Sequence, residues 1–143
     1  MSNTATSRIL VAVSSPEASR RVGNLVADLA GRLAAEVLVV HVTRPVGGQG
    51  RDDEQSAGEQ AVRIVADHVR VREVRVQTLL LFADDVSRAI LNTAADRAAT
   101  MIVLGLTGRG ALGRLISGNV PVELLRNAKV PVLLLPPDAT QAV

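Results

Sequence analysis

Five glycines, at 105, 108, 110, 113 and 118, punctuate the chain between an apolar run at 101–104 and an amphipathic segment from about 119 onward. Residues of this type and spacing are suited to holding an anion. Glycine lets a backbone turn through positive φ and bring its N–H groups close to a phosphate, and a helix start adds the positive end of its dipole. Asn119 is placed to cap that helix, with Leu124 and Leu125 on its buried face. Arg109 and Arg114 could neutralise phosphate charge, although a solvated loop arginine reads equally well. The loop has no Gly-Lys-Ser/Thr signature. Gly108-Arg-Gly110-Ala-Leu-Gly113 fits a Gly-x-Gly-x-x-Gly pattern, but it starts beyond the strand end and lacks the acidic residue that a dinucleotide site needs about 20 positions on.

Other groups capable of chemistry are few. His41 ends an apolar run and His68 sits in a helical segment, at no spacing that suggests a shared metal; structural roles fit both. Asp84 and Asp85 read as a carboxylate pair or a cation ligand, and more simply as alternative N-caps at a strand-to-helix junction. Ser14 has no base beside it. There is no Cys, which removes thiol nucleophiles, disulfides and Cys-zinc sites. No nucleophile, base or metal cluster assembles, so the expectation is a binding protein rather than an efficient enzyme.

Alternating elements must position the glycine loop. Residues 9–13, Ile-Leu-Val-Ala-Val, form a continuous apolar run of the kind buried on both faces of a sheet. A helix follows to about residue 34, started either by Ser15 with Pro16 at its first position or by a capping box of Ser14 and Glu17. Its buried stripe is Val22, Leu25, Val26, Leu29 and Leu33. Residues 37–42 make a second strand. Residues 43–57, with Pro45, three glycines and then Arg51-Asp52-Asp53-Glu54, read as a flexible surface loop. A helix over 60–71 leads to a strand over 74–81, whose alternation of Val74, Arg75, Val76 and Gln77 suits a sheet edge. After a third helix and the strand at 101–104 come the glycine loop, a fourth helix and a last strand at 130–135. Pro131 and Pro136 place that strand at the sheet margin. Five strands alternating with four helices specify a doubly wound α/β sheet with right-handed crossovers.

The 143 residues, 48% hydrophobic, suffice for one domain with its own core, and residues 1–7 read as a disordered leader. The isoelectric point near 10.3 suggests nucleic acid, yet 16 basic against 14 acidic residues leave a net charge of only +2. The basic residues are interspersed and Phe82 is the single aromatic, so neither a basic block nor a stacking platform exists and no nucleic-acid partner is expected. No apolar run is long enough to span a bilayer and the N-terminus has no signal-peptide pattern, so the expectation is a cytoplasmic protein without a membrane partner.

Over its whole length the chain resembles the universal stress protein family. The resemblance lies in Ile-Leu-Val-Ala-Val near the start, His41-Val42 closing the second strand, Gly105-x2-Gly108-x9-Gly118, and the ending Val-Pro-Val-Leu-Leu-Leu-Pro. It implies an adenine nucleotide alpha-hydrolase-like fold with parallel strands in the order 3-2-1-4-5, and a homodimer through the last strand, residues 130–135. It further implies a stress-response regulator that binds ATP, AMP or another adenine nucleotide, with Mg2+ as a candidate companion and an unidentified protein partner. Carried over residue by residue, the site comprises Ser14, Val42, Gly105, Thr107, Gly108, Arg109, Gly118, Asn119 and Val120.

Three departures stand out. ATP-binding members carry Asp where this chain has Ser14, and Ser or Thr where it has Asn119; Pro121 replaces a residue that often bears a hydroxyl. Any ATP hydrolysis would be slow, driven by positioning and electrostatics alone. The alternative within the family is a homodimeric interaction module that binds no nucleotide.

Overall fold

The computed structural model describes residues 6–44, 51–105 and 120–136. Within them the elements run β1 (Arg8–Ala12), α1 (Pro16–Leu33), β2 (Glu36–Thr43), α2 (Arg51–Val71), β3 (Val76–Phe82), α3 (Val86–Asp96), β4 (Met101–Gly105), α4 (Val120–Asn127) and β5 (Val132–Leu135). The strands form one parallel sheet in the order β3-β2-β1-β4-β5. This is the doubly wound α/β fold that the sequence leads one to expect.

Each face of the sheet carries its own core. Ile9, Val11, Val37, Val39 and Val103 pack against Val22 and Val26 of α1 and Val62, Val65 and Val69 of α2. Leu10, Leu38, Val40 and Ile102 pack on the other face against Ile90 of α3 and Leu124 of α4. Strands β1, β2 and β4 therefore read as unbroken apolar runs because both faces are covered. Each such buried Leu, Ile or Val side chain contributes about 1.5–3 kcal/mol.

Capping follows one of the two starts open to α1. Ser15 is the N-cap, its Oγ accepting from the Ala18 N–H at 3.2 Å, with Pro16 first in the helix. For α3 the cap is Asp85 rather than Asp84, accepting from the Arg88 N–H at 3.1 Å and the Ser87 hydroxyl at 3.0 Å. These contacts, with the nearby Arg88 and Arg44 charges, hold the Asp85 carboxyl below its ordinary value.

The surface loop expected over 43–57 is corrected at both ends. Thr43 still belongs to β2, and α2 begins at Arg51. Asp53, exposed in the first turn of α2, puts negative charge near a helix N-terminus, where the dipole favours it. Ser7, expected in a disordered leader, is tied down as well: its carbonyl accepts from the Glu36 N–H at 2.8 Å. Two residues expected to be buried are not. Leu33 is 44% exposed in the last turn of α1, and Leu125 is 52% exposed because the short α4 buries a single stripe through Pro121 and Leu124. Strand β3 starts at Val76, two residues later than its alternation suggests, because Glu73 turns the chain at φ 60°.

The sheet end where the strands begin is closed by polar contacts. Arg8 reaches the Glu36 carboxylate through Nη2 at 2.8 Å and Nε at 3.2 Å, and Arg75 approaches the same carboxylate at 3.6 Å. The Thr100 hydroxyl accepts from the Arg8 N–H at 2.9 Å, and the Thr100 N–H donates to the Arg8 carbonyl at 2.7 Å.

Candidate functional site

The opposite sheet end is where strand order makes an opening. Strands β1 and β4 are neighbours, but α1 leaves β1 for one face, whereas α4, which follows β4 in sequence, packs on the other. Chains that diverge in this way leave a crevice beyond the carboxyl ends of their strands, the usual ligand position in open α/β sheets.

The register brings three of the site residues to this end. Ala12 pairs with Leu104 and with Val40. Relative to this level Gly105 lies one residue further along, and Ser14 and Val42 two; Gly105 still pairs with Leu135 of β5 and Val42 with Leu81 of β3. The Val13 N–H still donates to the Val40 carbonyl at 2.9 Å, so Ser14 is the first residue of β1's exit without a strand partner, and it is exposed. Val42 is half-buried on the α3 side of the sheet. Val120, the first residue of α4, packs on that same side. Thr107, Gly108, Arg109, Gly118 and Asn119 lie outside the described residues.

Gly105 has a packing reason of its own. A Cβ there would come within 2.7 Å of the Val22 Cγ1 on α1, so the helix approaches β4 closely only because no side chain intervenes.

Two buried polar groups stand behind the β1 exit. His41, 5% exposed, points Nδ1 at the Val13 carbonyl at 2.9 Å; the carbonyl can only accept, so Nδ1 carries the proton. Its Nε2 meets no donor among the described residues. A Cβ on Gly58 would clash with the His41 ring, which explains a glycine inside α2. The structural role expected for His41 therefore has a specific content: it braces the backbone immediately before Ser14. Gly23 of α1 likewise admits the His68 ring, whose Nδ1–H donates to the Ile64 carbonyl at 2.8 Å. Sequence reasoning passed over Gly23 and Gly58, although glycines inside helical patterns are the signal that would have found them.

Among the described residues, no three of His, Asp and Glu gather as a metal cluster, and no helix is long and apolar enough to cross a membrane.

The chain matches the model of the universal stress protein family over residues 6–136. It is 30% identical over 132 residues to a universal stress protein of Thermus aquaticus, covering 89% of this chain and 96% of the relative. A universal stress protein structure from Archaeoglobus fulgidus superposes with a TM-score of 0.72 at 25% identity, covering 90% of this chain and 92% of that one. A second Archaeoglobus fulgidus universal stress protein structure, in complex with dAMP, has a TM-score of 0.68 at 22% identity, covering 92% and 98%. With the crevice, the glycine at the end of β4 and these matches in hand, the chain belongs to the universal stress protein family.

Proposed function

We propose that this protein binds an adenine nucleotide at the carboxyl ends of β1 and β4, with the phosphates on the glycine loop, and acts as a homodimeric regulator in stress response. The observation that carries the reading is the meeting of Gly105 and the unpaired exit of β1 at the topological switch point. A relative of the same fold in complex with dAMP adds support. ATP suits a glycine-rich loop, whose backbone can turn to bring several N–H groups close to a run of phosphates. Magnesium would offset charge between the phosphates. The protein's own contributions are backbone donors at the loop, an exposed hydroxyl at Ser14 and an apolar contact at Val42.

Calorimetric titration with ATP, ADP and AMP, with and without magnesium, tests the reading. Micromolar binding that is lost in Gly118→Val, with the fold intact by circular dichroism, supports it; equal affinity in that variant removes the site from the loop. Ser14 favours the second reading, an interaction module without nucleotide, because a short neutral hydroxyl stands where ATP-binding members carry Asp. No heat with any nucleotide would decide for that module.

The dimer forms through β5, an edge strand with Leu133 38% exposed and Leu125 of α4 exposed nearby in sequence. Leu133→Arg weakens this association in sedimentation equilibrium; an unaltered association constant places the contact elsewhere.

A further inference from the structure

The other edge of the sheet is also open. Among the described residues β3 pairs with β2 alone, so its outer row of backbone N–H and C=O groups faces no described strand. Its sequence, Val-Gln-Thr-Leu-Leu-Leu-Phe, carries no charge and no proline, the devices that ordinarily keep edges apart. Phe82, the chain's single aromatic, is 50% exposed at its end.

Above this edge lies α2, packed over both β2 and β3. Between α2 and β3 the surface opens into a groove of about 250 Å³ floored by Val62, Thr78 and Leu80. Its helical wall is Glu59, Arg63, Ala66 and Arg70. Spacings of four, three and four residues make these a single stripe down one side of the helix, the pattern of a helix–helix seam. Among the described residues α2's helix partner is α1, which lies on α2's other side, toward β1 and β4.

We propose that a second copy of this chain pairs along β3, antiparallel, about a two-fold axis perpendicular to the sheet, midway between the two β3 strands and level with Leu79. The contact joins the two sheets and lays the two α2 helices side by side. Strands in a sheet are about 4.8 Å apart, and α2 packs over both β2 and β3, so pairing the two β3 strands brings the two α2 helices toward the separation of packed helices, about 8–10 Å.

Charge then selects this arrangement. Helix α2 runs opposite to β3, so the middle of the stripe lies level with Leu79. The two-fold places Glu59 opposite the second copy's Arg70, and Arg70 opposite the second copy's Glu59. Arg63 lies across from Ala66, which is already buried within its own subunit, so no like charge opposes Arg63 there. Along the strands, Val76 meets Phe82 and Thr78 meets Leu80, neutral pairs throughout. Among the described residues the Arg70 guanidinium pairs with the exposed Asp67, at 3.3 Å, a surface pair worth little and readily exchanged. Strands β3 and β5 are opposite edges, so this contact is independent of pairing through β5; where both form, dimers join into larger assemblies.

Sedimentation equilibrium of the full chain decides, in the wild-type and Leu133→Arg backgrounds. Arg70→Glu, which sets like charges together, weakens association about tenfold in Leu133→Arg, and in the wild type it removes species larger than the dimer. Adding Glu59→Arg restores the opposite-charge pair and the association with it. Both positions lie on the helix surface, and melting curves check that the fold persists. The proposal is overturned if Leu133→Arg is monomeric at every concentration, if Arg70→Glu leaves association unchanged in both backgrounds, or if the double charge swap fails to rescue it.

Discussion

The two ends of the sheet are built for different work. Where the strands begin, Arg8, Glu36, Arg75 and Thr100 tie β1, β2, the β3 approach and the β4 approach together. Where they end, Ser14 is exposed, Gly105 has no side chain, and the polar group beneath them, His41, supports the backbone from within. One end holds the fold and the other carries the proposed ligand site. Stability and binding should therefore respond to different substitutions.

Gly105→Val should give the largest effect, because it strikes both properties at once. Its side chain meets Val22 and fills the β4 exit, so nucleotide affinity falls by about a hundredfold or more and stability by about 1–3 kcal/mol; calorimetry and chemical denaturation read the two losses. Wild-type behaviour in both would show that the β4 exit is neither crowded nor used. Glu36→Gln works on the opposite end. Losing the carboxylate shared by Arg8 and Arg75 lowers stability by about 1–2 kcal/mol, with nucleotide affinity unchanged within about twofold. A large drop in affinity there would join the two ends and refute their separation.

Ser14→Asp sharpens the comparison in the other direction. Restoring the carboxylate that ATP-binding members carry should tighten ATP binding about tenfold, or about 1.4 kcal/mol, with little change in the melting temperature; weaker or equal binding would show that Ser14 does not limit affinity. Asp85 gives the smallest effect. Its folded carboxyl titrates below the ordinary value of 3.8. Its contribution to stability is therefore complete above the unfolded value and is lost as pH falls through the folded one. Asp85→Asn should flatten that acid limb of the stability profile and leave neutral-pH binding alone. An unaltered limb would assign the acid loss to other carboxylates.

Much of this architecture could be read from residue patterns, for identifiable reasons. Strands β1, β2 and β4 are continuous apolar runs because two helical layers cover them, and Ser15-Pro16 and Asp85 are caps whose side-chain chemistry is local. What escaped was decided by tertiary surroundings. The charged run Arg51-Asp52-Asp53-Glu54 looks like a loop until the helix behind it is seen to need negative charge at its start. Leu33 and Leu125 have hydrophobic spacing, but their turns lie past or outside the packed layer. Gly58 and Gly105 look like punctuation; their purpose, admitting the His41 ring and the Val22 side chain, depends on neighbours distant in the chain. For the proposed site, what was legible is position: Ser14, Val42 and Gly105 lie at the carboxyl ends of their strands. The pairing of Glu59 with Arg70 across a two-fold needed both the sheet order and the helix face.

Backbone amide hydrogen exchange with and without saturating ATP tests the central claim most directly, because it reads both sheet ends in one experiment. Protection should rise at residues 13–15, 42–44 and 105–120 and stay unchanged around Arg8, Glu36, Arg75 and Thr100. Protection that rises mainly around Arg8 and Glu36, or along α2 and β3, would contradict a ligand site at the carboxyl ends of β1 and β4.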